Sequence, residues 1–171
     1  MSPDATASVA ELSRLRLEVG EDRRAMARCL ADASAALAPW RDRPPERPWL
    51  LMAAVAVHGW YTGLEAVCER AARLLDAVVP SGEAWHRELL AQAMAEIPGV
   101  RPAIVPQTLH GDLLALLGFR HFFRHAYGVD LDPARLRVEL DRMLRIAPVV
   151  ADALDRFDAF LARTIAALAG S

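Results

Sequence analysis

The chain has 171 residues, 20 basic and 22 acidic side chains, and a formal net charge of −2. That length fits one domain spanning residues 1–171, with room for a proper core. The near-balanced charge excludes a global basic field of the kind that draws a protein onto nucleic acid, so any such contact has to be local. All 20 basic residues are arginine, which beside so many alanines reads first as genome composition bias. Cys29 and Cys68 stand far apart with no CxxC, which argues against a zinc site or a disulfide scaffold and for a reducing compartment. The start, Met1-Ser2-Pro3-Asp4, has neither the basic flank nor the apolar run of a signal peptide. The longest charge-free apolar run, Trp49 to Val57, is too short to span a bilayer. The expectation is a soluble, cytoplasmic protein without a membrane contact.

Alanine and leucine dominate and no stretch alternates with period 2, so the fold class is all-α. A first helix is predicted over Ser8–Leu37, with Leu12, Leu15, Val19, Met26 and Leu30 as its apolar stripe and Arg16, Glu21, Asp22 and Arg23 turned outward. Pro39 to Pro48 reads as a connector, because Pro44-Pro45 stops helix and the charges keep it solvated. A second helix over Trp49–Val78 is apolar on every face in its first half, which means burial all round or a subunit interface. In its second half, Glu65 and Glu69 share a face. The simpler expectation pairs them with Arg70 and Arg73 in a solvated strip; the sharper one turns Glu65 into the bundle to orient an arginine elsewhere.

A short third helix is predicted over Glu83–Glu96 and carries Trp85-His86; His86 reads as a packed histidine before it reads as a ligand. After an irregular, proline-rich stretch, Thr108 is the expected N-cap of a fourth helix ending near Tyr127, with Gly128 as its C′ residue. Asp132-Pro133 opens a fifth helix as N-cap and N1 proline. Pro148 is expected to kink or break it, with a last helix running from Pro148 to Ala169. The architecture predicted is an antiparallel helical bundle of five to six helices.

One stretch stands out: Arg120-His121-Phe122-Phe123-Arg124-His125-Ala126-Tyr127. Imidazole titrates near neutral pH, while an arginine keeps its charge and suits phosphate geometry. An acid–base group beside a fixed cation points to chemistry on a phosphodiester. His121 and His125 share a helix face, as do Arg120 and Arg124. Arg120 and His125 lie roughly 140° apart around a straight helix, so a tightened last turn or a second subunit has to bring them together. The His121/His125 spacing suits a metal, but no third ligand accompanies it, so no metal is expected. Phe119, Phe122 and Phe123 read as core residues.

Arg120-His121-x3-His125-x-Tyr127 resembles the R-x4-H-x-Y signature of HepT-like toxins in the HEPN superfamily. Tyr61-Thr62-Gly63-Leu64-Glu65, Trp85-His86-Arg87-Glu88-Leu89-Leu90 and Arg101-Pro102 precede it in the order such chains show them. The resemblance covers roughly residues 20 to 168. It implies a HEPN-like bundle that forms a homodimer, with both Arg-x4-His motifs lining one cleft. It also implies a toxin component acting as a metal-independent endoribonuclease on RNA. By resemblance, Arg120 holds the scissile phosphate, His125 acts as general base or acid, and His121 supports the site. Glu65 on the neighbouring helix supports it too. Arg124, with Arg120 and Arg101, is expected to supply a local cationic cluster for RNA. The resemblance further implies a nucleotidyltransferase antitoxin partner that transfers AMP from ATP to Tyr127; no cofactor other than that partner's ATP is expected. The alternative is a catalytically silent HEPN dimer that binds the nucleotidyltransferase or presents substrate to it.

Overall fold

The computed structural model describes residues 3–40, 45–125 and 131–170. Five α-helices carry the fold: α1 (Pro3–Leu37), α2 (Arg47–Ala71), α3 (Trp85–Met94), α4 (His110–His125) and α5 (Pro133–Ala169). Among the described residues there is no strand, only an isolated backbone bridge between Ile97 and Arg101.

The helix pairing follows from the side chains that meet. On α1 and α2, Cys29 meets Gly59, Met26 meets Gly63, and Glu18 and Asp22 receive Arg70, so the two run antiparallel. A Cβ on Gly63 would stand 2.7 Å from Met26 Cγ and one on Gly59 2.9 Å from Cys29 Sγ, so the backbones come close where α2 has no side chain. Arg16 to Asp158 and Arg23 to Asp155 set α5 antiparallel to α1. Asp112 receives Arg142 and Arg145, tying the start of α4 to α5. Short α3 instead runs in the same sense as α2, since Glu65 meets His86 and Asp76 meets Gln92.

The core lies along heptad-like stripes. On α5 the buried positions Leu136, Leu140, Met143, Ala147, Val150, Leu154, Phe157 and Leu161 advance in alternating steps of four and three. On α1 the stripe is Leu12, Leu15, Val19, Met26, Ala33 and Ala36. Helix α2 packs against all four others. By length and composition Arg47–Asp76 is long and apolar enough to cross a membrane, and half of its most apolar window is buried inside the bundle. The run Trp49–Val57 understated this helix, because a long helix carries a few charges and keeps its apolar average. Burial is not all round, however: Trp49, Leu51 and Val55 are exposed.

Several boundaries differ from the sequence-based expectation. Pro148 does not break α5, which continues from Pro133 to Ala169 as one helix. Pro148 sits on the exposed side, where the bond lost to the Leu144 carbonyl is tolerated, while Ile146, Ala147 and Val150 hold both flanks in the core. Pro48 belongs to the first turn of α2, where a missing N–H costs nothing. Residues 41–44 of the connector before it lie outside the described residues, as does Gly128. Thr108 is inside a 3-10 turn, Gln107–Leu109, rather than capping α4. Asp132 does cap α5, its carboxylate accepting from the Ala134 and Arg135 N–H groups. Helix α2 ends in a π-helical turn, Ala72–Asp76, closed by Ala77 at φ 56°.

Candidate functional site

The site grows from three helices that converge on one buried charge. Arg120 lies on α4, is 8% exposed, and donates from NH2 to Glu65 Oε2 at 2.7 Å. Glu65 lies on the inner face of α2, also 8% exposed. Its other oxygen, Oε1, receives His86 Nδ1 from the start of α3. The ring closes where Arg120 NH1 reaches His86 Nε2 at 3.5 Å. A guanidinium can only donate, so the contact at Nε2 requires the tautomer with its proton on Nδ1, toward Glu65. Arg120 and Glu65 then cancel, and each polar atom of the carboxylate and the imidazole has a partner. One donor is left over: Arg120 Nε is buried without a hydrogen-bond partner. A buried N–H left unmatched costs about 1–3 kcal/mol, which an anionic oxygen placed there would recover.

Aromatic rings flank this triangle. Trp85 stacks on His86 with centroids 3.6 Å apart, and His121 meets the same imidazole edge-on at 4.8 Å. An open pocket of about 490 Å³ adjoins them, lined by His86, His121, Arg87, Leu114, Leu117 and Gly118. Two turns before Glu65 on the same side of α2, half-buried His58 packs edge-on against Phe123 at 5.5 Å and shares a hydrogen bond with Thr62. Burial, then the positive charges of Arg120 and Arg124, push the His58 pKa below its ordinary value. Burial, then the neighbouring Glu65, push the Tyr61 phenol pKa up from its ordinary value.

The structure brings together Arg120, Glu65 and His121, three of the residues expected from the sequence, and adds His86. It turns Glu65 into the bundle, so the solvated-strip expectation fails for Glu65; Glu69 alone pairs with Arg73, and Arg70 reaches across to α1. Arg124 is exposed. His125 ends α4, but its side chain lies outside the described residues, and so does Tyr127. Phe122 is 49% exposed rather than core, with Phe119 and Phe123 half-buried. Arg101 is removed from the expected cationic cluster. Its side chain is fully buried, and it grips Asp76 with Nε and NH2, both at 2.7 Å, while three carbonyls take its remaining donors. An arginine spent on a buried bidentate pair has no surface to offer RNA.

His86 was undervalued because nothing in the residue spacing links it to Glu65; the two helices meet only after the chain has turned through residues 77–84. Its immediate neighbour Trp85 was the one available signal. Among the described residues no group of three histidine, cysteine or acidic side chains is gathered as a metal site.

The fold and site thus define a helical bundle with a buried arginine braced by a carboxylate and one imidazole, a second imidazole lying against the first. The family model for HepT-like proteins matches residues 52–161, more than half of the chain, and that span holds all four of Glu65, His86, Arg120 and His121. The chain therefore belongs to the HepT-like family, within the HEPN superfamily, whose members generally carry ribonuclease activity. Among curated proteins and among solved structures, nothing matches the chain.

Proposed function

We propose that this HepT-like protein is the toxin of a toxin–antitoxin pair and cleaves RNA as a metal-independent endoribonuclease, acting in the cytoplasm as a homodimer. The observation that carries the reading is Arg120: a buried guanidinium, held by Glu65, with one N–H unmatched, on the helix that bears the Arg-x4-His part of the pattern. RNA supplies its own nucleophile, so cleavage needs only charge stabilisation and proton transfer. Arg120 neutralises the scissile phosphate, His125 moves the proton to or from the 2′-oxygen or the leaving oxygen, and His121 supports the site. The product is a 2′,3′-cyclic phosphate or its hydrolysed form. Arg87, in the pocket lining, and exposed Arg124, one turn after Arg120, take over the phosphate-tracking role that Arg101 cannot fill.

The dimer forms on α2. Leu51, Val55, His58 and Thr62 follow helical spacing along one side, and Phe123 packs beside His58. A composite cleft then unites groups that one straight helix holds apart. The partner nucleotidyltransferase uses ATP to attach AMP to Tyr127, adding bulk and negative charge close to His125 and closing the cleft to RNA. Intact-mass measurement after incubation with that partner and ATP is expected to give one AMP adduct, absent in Tyr127→Phe.

The test of cleavage is partner-free protein incubated with total RNA and tRNA in EDTA, beside Arg120→Ala and His125→Ala. Cleavage by the wild type alone supports the reading, and cleavage by all three sinks it. A second reading, a silent HEPN dimer that binds or presents substrate to the nucleotidyltransferase, is favoured by the depth of Arg120 and by its two engaged nitrogens. Absence of cleavage in a dimeric protein of unmodified mass selects it.

A further inference from the structure

We propose that His86 is a positioning residue for Arg120, fixing the guanidinium through Glu65. Its catalytic consequence rests on the ribonuclease reading above; its geometric claim does not. A carboxylate that met Arg120 alone would be free to rotate about its own axis and would carry the guanidinium with it. Here Glu65 is engaged from two helices at once, Oε2 by Arg120 on α4 and Oε1 by His86 on α3. That bridging fixes the carboxylate plane, and the 3.5 Å contact from Arg120 NH1 to His86 Nε2 closes the triangle. The imidazole is itself held in plane by Trp85 stacked at 3.6 Å and by the His121 ring edge at 4.8 Å.

His86 is 7% exposed and both its nitrogens are committed, one to an anion and one to a cation. It has none left for a substrate, so it positions and does not itself transfer protons. A merely space-filling histidine would need neither contact. What the triangle leaves open is also specific: every nitrogen facing it is matched, while Arg120 Nε is not. Support of this sort sets a reacting group to within a fraction of an ångström, and losing it costs on the order of 100-fold in rate.

The test uses the full chain with two replacements. His86→Phe keeps a ring for Trp85 and His121 but removes both nitrogens. His86→Asn keeps a donor close to the position of Nδ1. Side-chain 15N spectra of arginine-labelled protein, with Arg120 assigned by its loss in Arg120→Lys, report on the guanidinium. A held Arg120 gives separate Nη signals in the wild type. These are expected to merge in His86→Phe and to persist in His86→Asn. In RNA cleavage, kcat is expected to fall about 100-fold in His86→Phe with KM little changed, and to recover partly in His86→Asn. Unchanged Arg120 signals in His86→Phe would overturn the proposal, as would equal kcat losses in the two variants. Should His86→Phe fail to fold, His86→Gln replaces it, because its amide lies nearer the Nε2 position and leaves Oε1 of Glu65 unmatched; persistence of the Arg120 signals there overturns the proposal. If the wild type cleaves no RNA, the ribonuclease reading falls while the spectra still decide whether His86 holds Arg120.

Discussion

At the residue scale, the tuning of the ionisable groups comes from their neighbours. His58 is pressed between partial burial and two cations, so its folded pKa lies below 6.5, its ordinary value. As pH falls, the unfolded chain takes up this proton before the native one does. The stability linked to His58 is therefore complete above its unfolded pKa and is lost as pH falls through the lower folded pKa. The wild type is expected to lose more thermal stability than His58→Asn between about pH 7.5 and about pH 5, measured by melting in matched buffers. Equal losses would mean that neither burial nor the charges of Arg120 and Arg124 depress the His58 pKa. The two cysteines make a second case. Burial pushes the Cys68 thiol up to about 12, and burial followed by the charge of Asp32 raises Cys29 as well. A thiol-specific reagent at neutral pH is expected to leave Cys68 untouched until the chain unfolds, with Cys29 slow in the native state. Rapid native labelling of Cys68 would contradict its burial.

At the element scale, the link between α2 and α3 adds a polar lock to the apolar packing of Leu89, Leu90, Ala93 and Met94. The π-helical turn at the end of α2 presents Asp76 to Arg101, and Gln92 on α3 donates to the same carboxylate at 2.5 Å. Removing one partner leaves the other charge buried. Arg101→Leu is thus expected to cost about 3–5 kcal/mol in denaturant unfolding, and Arg101→Leu with Asp76→Leu distinctly less. A single replacement as mild as a surface substitution would show that the pair is hydrated. This lock also explains why an arginine beside a proline could be mistaken for part of an RNA-binding cluster: its type is what a phosphate wants, but its partner lies 25 residues earlier and is brought close only by the turn. Pro148 makes the same point in reverse. Local chemistry disfavours helix there, and a heptad stripe buried on both sides outweighs a single lost hydrogen bond on the solvent side.

At the scale of the whole molecule, α2 is the hub, and Trp49, Leu51 and Val55 form an apolar side of it that is exposed among the described residues. If the dimer forms there, Val55→Glu is expected to give a stable monomer in sedimentation velocity and to abolish RNA cleavage while leaving the far-ultraviolet circular dichroism of the bundle intact. Val55 is 58% exposed, so the substitution disturbs no packing within the chain. A dimer that survives it would move the interface to another face.

The all-helical class, the rough extents of α1 and α2, the Asp132 cap and the Arg120 motif are legible in the sequence, because each is written in local spacing: period 3.6, a cap beside its proline, an arginine and a histidine on one helix; the unbroken run of α5 through Pro148 is not. Only the tertiary structure decided which charges become interior. Glu65 could have paired along its own helix, as Glu69 does; instead the packing of α3 and α4 against α2 encloses it with His86 and Arg120. The reason is physical. A charge's partner is set by what desolvates it, and desolvation comes from helices that are far apart in sequence and meet only when the chain has folded.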